Sequence, residues 1–247
     1  MPQLDIKLLE ENTRFWENRY RNNNIQWHID DVNPMLFKHL KTLIPSVTGE
    51  VGEGSKADSN PKKIFIPLCG KTKDIPFLLS LGHEVFGVES FSAAIEELNY
   101  DHNLELKFDQ QKSLYESEDG RLKIYCGDFF TCPIEDFEPF DCIWDRGSFI
   151  AVDYHFREAY VEMMKRAVAL GTGHKFRYLL QTVRYDKTVY PGPPRCVDPD
   201  DIEKFLEPWA SVQQLDRYPV SDDSPMRMTA GDVGDLDEIA LFLTNKN

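Results

Sequence analysis

The sequence predicts an α/β fold: an open, mostly parallel sheet with helices on both faces and an antiparallel strand at one edge. Three observations carry that prediction. From Lys62 onward, short apolar runs alternate with stretches of helical period, the pattern of strand–helix–strand units. The first four apolar runs end in glycine, acidic or arginine residues after mostly apolar interiors. The last two runs have no long helix between them, so they are expected to pair antiparallel.

Taken in order, Thr13–Arg21 places Phe15, Trp16 and Tyr20 at helical spacing. Asn33 and Pro34 read as a cap and a first-turn proline, and Leu36, Phe37, Leu40, Leu43 and Ile44 follow as an apolar stripe. Residues 1–45 thus form an N-terminal helical cover. Residues 46–61 (SVTGEVGEGSKADSNP) are polar and rich in glycine and serine, as a flexible insertion is. The insertion is too short to separate independent domains, so a single domain over 1–247 is expected, with its α/β core at 62–247. Ile64–Leu68 is the first strand and Asp74–Leu81 a helix that tolerates Pro76 in its first turn. Glu84–Val88, Leu122–Cys126 and Phe140–Trp144 are the next strands, with a helix at Ser92–Leu98. A helix at Arg157–Ala169, a strand at Phe176–Val183 and a short helix at Pro199–Leu206, capped by Asp198, come next. Val212–Tyr218 and Glu238–Leu243 bring the strands to seven.

Composition narrows the function. With 247 residues, of which 41% are hydrophobic, the chain can bury a sizeable core. A net charge of −14 disfavours nucleic acid and anionic membranes, because phosphate contacts require lysine or arginine. The five cysteines form no C-x-x-C pair, so no metal site is expected, and their odd number fits a reducing compartment. The acidic N-terminus has no long apolar run, which makes the cytoplasm the expected location.

In an open α/β sheet, ligands bind where strands end. The first strand ends at Leu68-Cys69-Gly70, where Gly70 allows a tight turn and close approach of backbone to ligand. The second ends at Glu89, about 20 residues on, where an acidic residue can accept from both hydroxyls of a ribose. The third ends in Asp128-Phe129, an acceptor for an adenine amino group and a ring to stack on it. The fourth ends in Trp144-Asp145-Arg146-Gly147. A lone strand-end carboxylate is more often a helix cap; the series of four favours ligand binding. A P-loop is excluded because its first glycine position is Phe65. A dinucleotide site requires three glycines around a pyrophosphate, and this turn has one. S-adenosylmethionine has no phosphate, so a single-glycine turn suffices. Asp141 and Asp145 lie roughly 13 Å apart along a strand, too far to work as an acid–base pair.

PLCGKTKD, GVE, WDRG and PGPP, in this order, resemble the thiopurine S-methyltransferase family over almost the whole chain. That resemblance implies a seven-stranded, Rossmann-like methyltransferase fold under an N-terminal helical cover. It implies methyl transfer from S-adenosylmethionine to the sulfur of aromatic and heterocyclic thiols, with S-adenosylhomocysteine as product. Trp16, Tyr20 and the stretch to Trp27 match the family's cofactor-covering segment, with Trp27 facing the substrate. Leu68, Gly70, Glu89, Asp128 and Phe129 match its cofactor contacts. Arg146 matches a contact near cofactor and substrate, and Arg227 an arginine that helps the acceptor thiol ionise. Pro191 begins the stiff PGPP turn, read as one wall of the acceptor pocket. A monomer is expected, because the N-terminal segment covers its own site. Two alternatives stand beside this: the same fold acting on a selenium or tellurium compound, a halide or a small amine, and a non-catalytic cofactor-binding protein.

Overall fold

The computed structural model describes residues 4–47, 60–222, 224, 226–227 and 231–246; most of the expected insertion, residues 48–59, lies outside the described residues. The elements are α1 (Ile6–Arg21), α2 (Pro34–Leu43), β1 (Lys63–Ile66), α3 (Asp74–Ser80), β2 (Glu84–Glu89) and α4 (Ser92–His102). After these come β3 (Lys107–Asp109), β4 (Leu114–Glu116), β5 (Leu122–Cys126), β6 (Cys142–Arg146), α5 (Ser148–Ala151) and α6 (Arg157–Ala167). The chain ends with β7 (Arg177–Arg184), α7 (Pro199–Phe205), β8 (Ala210–Pro219) and β9 (Asp237–Asn245).

The strands follow the order β3-β4-β5-β2-β1-β6-β7-β9-β8. β1 is parallel to β2 and β6, and β2 to β5. β8 and β9 pair antiparallel, as the missing helix between them required. The expected count of seven strands is corrected to nine. The two additional strands, β3 and β4, form an antiparallel hairpin that extends the sheet beyond β5. Each has three residues and those of β3 are all exposed, so no apolar run marks them. Several strand ends also shift by one to two residues. β1 stops at Ile66, and β6 runs on to make Arg146 its last residue.

The chain divides into two compact units. One comprises His28–Trp144 and Arg166–Arg177. In it, Asn33 caps α2 as expected, its side chain accepting from the amides of Met35 (2.8 Å) and Leu36 (3.4 Å), with Leu36, Leu40 and Leu43 fully buried below. α3 and α4 both pack on β2. Asp74, 1% exposed, is a buried acceptor shared by distant segments. Its Oδ1 receives the Asn33 amide (2.8 Å), and its Oδ2 receives the Trp144 indole N–H (2.7 Å) and the Thr72 hydroxyl (2.9 Å). Gly87 in β2 leaves room for the loop after β1: a Cβ there would lie 2.8 Å from the Cys69 sulfur.

The other unit comprises Met1–Trp27, Asp145–Lys165 and Tyr178–Asn247. Asp145 is fully buried and receives the hydroxyls of Tyr160 (2.7 Å) and Tyr178 (2.6 Å) and the Phe149 amide (3.3 Å). Gly147 follows at φ 84°, the left-handed turn that lets the chain leave β6 directly into α5. Arg157, with no exposed surface, donates to the Cys196 carbonyl (2.9 Å), pairs with Asp201 (3.1 Å) and lies over the Tyr154 ring (4.2 Å). Asp198 caps α7, as expected, in a reciprocal capping box with Asp201.

Candidate functional site

Three of the expected strand ends meet in the unit built on β1, β2 and β5. Leu68 turns out of β1 at φ 43°, a left-handed conformation that costs a residue with a Cβ roughly 1 to 2 kcal/mol. The next amide, Cys69 N–H, still reaches the Val88 carbonyl (2.8 Å), and Gly70 takes a second left-handed turn at φ 53°. The Gly70 amide then donates to Glu89 Oε2 (2.9 Å). Glu89 Oε1 receives the Phe91 amide (2.8 Å), and the Glu89 carbonyl receives the Gly127 amide (3.0 Å). Leu68, Gly70, Glu89 and the Gly127-Asp128 turn are thereby joined by hydrogen bonds across three strand ends.

Glu89 is nearly buried, and desolvation raises its pKa; the three amide donors nearby only partly offset that. Asp128 is half-buried with its pKa also raised by desolvation, and its Oδ1 caps a short 3-10 turn through the Phe130 amide (2.7 Å). The capping role weighed from sequence is therefore present, and the Thr131 amide acts on the same carboxylate. Phe129 is buried, its ring edge-on to Phe130 at 5.3 Å. Cys69 lies in this turn as a buried thiol whose pKa is driven well up by burial and by the Glu89 charge. It is a packing residue, inert as a nucleophile.

The remaining expected residues lie in the other unit. Trp16, Tyr20 and Trp27 do come together: the Trp27 ring meets Trp16 edge-on at 5.2 Å and Tyr20 at 5.6 Å. At the centre is Arg19, which sequence reasoning missed. Its guanidinium lies 4.8 Å from the Trp27 ring and 5.8 Å from Trp16, and donates to the Asn24 carbonyl (3.2 Å) and the Gln26 side chain (3.2 Å). Partial burial lowers its pKa. Arg19 thus fastens the end of α1 to the turn carrying Trp27, and cation–π attraction helps hold the two tryptophans in their T-shaped contact. Arg19→Ala is expected to weaken the near-ultraviolet circular dichroism of the aromatic cluster, with Arg19→Lys restoring part of it. An unchanged spectrum in the alanine variant would remove Arg19 from this role.

Arg146 stands at the end of β6 and acts electrostatically on Glu238, at the start of β9. Glu238 also accepts from Gln181, and burial raises its pKa against the pull of Arg146. Arg227 is held within its own loop: Nη1 donates to the Gly234 carbonyl (2.5 Å), and Asp222 lies 3.8 Å from Nε. Pro191 is exposed. Its turn is tied down by the hydroxyls of Tyr190, on the Pro193 carbonyl (2.5 Å), and Tyr185, on the Pro194 carbonyl (2.5 Å). The structure therefore gathers Leu68, Gly70, Glu89 and Asp128 in one unit. It gathers Trp16, Tyr20 and Trp27 in the other, and sets Arg146, Pro191 and Arg227 on separate elements of that second unit.

Comparison with known proteins identifies the family. Residues 11–246 match the family model described as thiopurine S-methyltransferase. A thiopurine S-methyltransferase of Pseudomonas putida strain KT2440 is 32% identical over 219 residues, covering 88% of this chain and 92% of the relative. One from Vibrio atlanticus is 33% identical, covering 79% and 81%. Among solved structures, the 1,6-didemethyltoxoflavin-N1-methyltransferase of Burkholderia thailandensis, which holds S-adenosylhomocysteine, superposes with a TM-score of 0.59 at 13% identity, over 100% of this chain and 93% of that one. At that identity the likeness concerns the fold, which is the Rossmann-like methyltransferase fold the sequence led us to expect. By the span of the family match and the identity of these relatives, the chain is a methyltransferase belonging to the thiopurine S-methyltransferase family.

Proposed function

We propose that this protein moves the methyl group of S-adenosylmethionine to the sulfur of a small aromatic or heterocyclic thiol. The observation that carries the reading is the Glu89 carboxylate, oriented by the Gly70 and Phe91 amides at the end of β2. In this reading the carboxylate oxygens accept from the ribose hydroxyls. The turn from Leu68 to Gly70 brings backbone close, with one glycine and no pyrophosphate cradle, which suits a nucleoside without phosphate. Asp128 offers its carboxylate to the adenine amino group.

Bound S-adenosylmethionine supplies a methyl group on a positively charged sulfur, open to in-line displacement by a thiolate. By their match to the family's cofactor-covering segment, Trp16 and Tyr20 are the rings assigned to that positive charge and Trp27 to the acceptor. Arg146 and Arg227 favour the ionised acceptor, the form that attacks. Glu238 balances the Arg146 charge until the thiolate arrives. No side chain forms a covalent bond to either substrate. A dry site would favour a reaction that cancels charge.

The test is a transfer assay over thiols of graded acidity, with halide, selenite and a small amine as rival acceptors. Methyl thioether formation from thiols alone supports the reading, and transfer only to a rival acceptor would replace it. Arg146→Ala is expected to lower turnover most, on the order of tenfold or more, for the least acidic thiols. An equal loss across the series would remove Arg146 from thiolate stabilisation.

A further inference from the structure

Lys71 follows Gly70 in the PLCGKTKD segment and has no part in the cofactor contacts described above. A lysine on a surface turn ordinarily keeps its side chain in water. Lys107 and Lys112 do so even within their ion pairs, with 77% and 69% of the side chain exposed. Lys71 keeps only 18%, and its Nζ donates to Glu97 Oε2 on α4 at 2.7 Å. That distance is the length of a charge-assisted hydrogen bond.

The pair joins two segments that flank Glu89. On one side α4 begins at Ser92, soon after Glu89, and Glu97 lies in its second turn. On the other, the loop from β1 passes through two left-handed residues, Leu68 at φ 43° and Gly70 at φ 53°. A chain tends to relax out of such a conformation at a residue with a Cβ, so the surroundings must hold it. The Cys69 amide on the Val88 carbonyl (2.8 Å) holds the start of the loop, and the Thr72 hydroxyl on Asp74 (2.9 Å) holds its end. Between them the Gly70 amide uses an oxygen of Glu89 (2.9 Å), the carboxylate that the ribose is read to engage. The Lys71–Glu97 pair ties the middle of the loop to α4 without drawing on Glu89.

We propose that Lys71 and Glu97 are positioning residues for the cofactor: their ion pair holds the loop of Leu68 and Gly70 against α4 in the conformation that receives S-adenosylmethionine. The proposal rests on the reading of the β1, β2 and β5 ends as the cofactor site. The pair touches no ligand, and it raises affinity by organising the loop before binding.

Calorimetry of the full chain with S-adenosylmethionine, beside thermal melts, tests this. Lys71→Met keeps the covered stem and removes one charge, and Glu97→Gln removes the other. Each should weaken binding about fivefold, and the double variant little more than either alone, because all three lose the same interaction. Lys71→Arg, which keeps the charge, should recover most of the loss. Glu97 is 55% exposed, so added salt should narrow the gap between wild type and Lys71→Met. Lower melting temperatures with unchanged affinity would make the pair a stability feature and overturn the proposal. A loss in Lys71→Met with none in Glu97→Gln would overturn it by placing the lysine on the ligand, and additive losses would overturn it by separating the two residues. Wild type that binds no cofactor, or binds it equally well as Glu89→Gln, would sink the cofactor-site reading and this proposal with it. Glu89-dependent binding that both pair variants match would sink this proposal alone.

Discussion

Glu89→Gln is expected to weaken S-adenosylmethionine binding about a hundredfold while leaving the fold intact. Two charge-assisted hydrogen bonds from a ribose become weaker ones, and the amide nitrogen of glutamine must face a backbone N–H of Gly70 or Phe91 or a hydroxyl. The loss in binding is on the order of 2.7 kcal/mol. Stability should change little, because burial already penalises the charge that the substitution removes. Calorimetry of the variant beside its thermal melt separates the two effects. Affinity within threefold of wild type would take Glu89 out of the cofactor site.

The same carboxylate sets a pH dependence. Desolvation raises Glu89 in the folded protein above its unfolded value, so the folded state holds that proton more tightly. Its contribution to stability is therefore present at low pH and declines as pH rises between the two values. Cofactor binding runs the other way, since only the ionised carboxylate accepts from both hydroxyls. Affinity should fall as pH drops, with a midpoint above the ordinary carboxylate range, and the fall should vanish in Glu89→Gln. The same slope in both proteins would assign the titration to another group.

Asp74→Ala should have the largest effect on stability, a loss on the order of 4 kcal/mol, because it strands the Asn33 amide and the Trp144 indole N–H without an acceptor in a dry interior. A domain of this kind holds roughly 5 to 15 kcal/mol in all, so much of the molecule's margin would go. Asp74→Asn keeps an acceptor oxygen at the same position and should cost less than half as much. Denaturant midpoints measure both. An alanine variant within about 1 kcal/mol of wild type would show that this network is incidental.

Asp74 also illustrates what sequence reading could not reach. Its position in the first turn of a helix is visible, but its partners lie 41 and 70 residues away, and nothing local marks them. Arg19 is similar: helical spacing shows Trp16 and Tyr20, whereas the guanidinium among the rings follows from how the turn to Trp27 folds back. The β3–β4 hairpin is silent because strands of three residues, those of β3 all exposed, are too short to carry a period. What was legible had a local cause. Buried parallel strands announce themselves as apolar runs, and Asn33-Pro34 and Asp198 as caps. Glu89 and Gly70 could be paired from spacing alone because two successive parallel strands place their ends side by side.

The most direct test of the account is calorimetric titration of the intact protein with S-adenosylmethionine. One molecule should bind per chain in the micromolar range or tighter, with S-adenosylhomocysteine competing for the same site and the affinity depending on Glu89. No binding at high micromolar cofactor would contradict the assignment of the β1, β2 and β5 ends as a cofactor site, and the methyl-transfer mechanism built on it would fall with it.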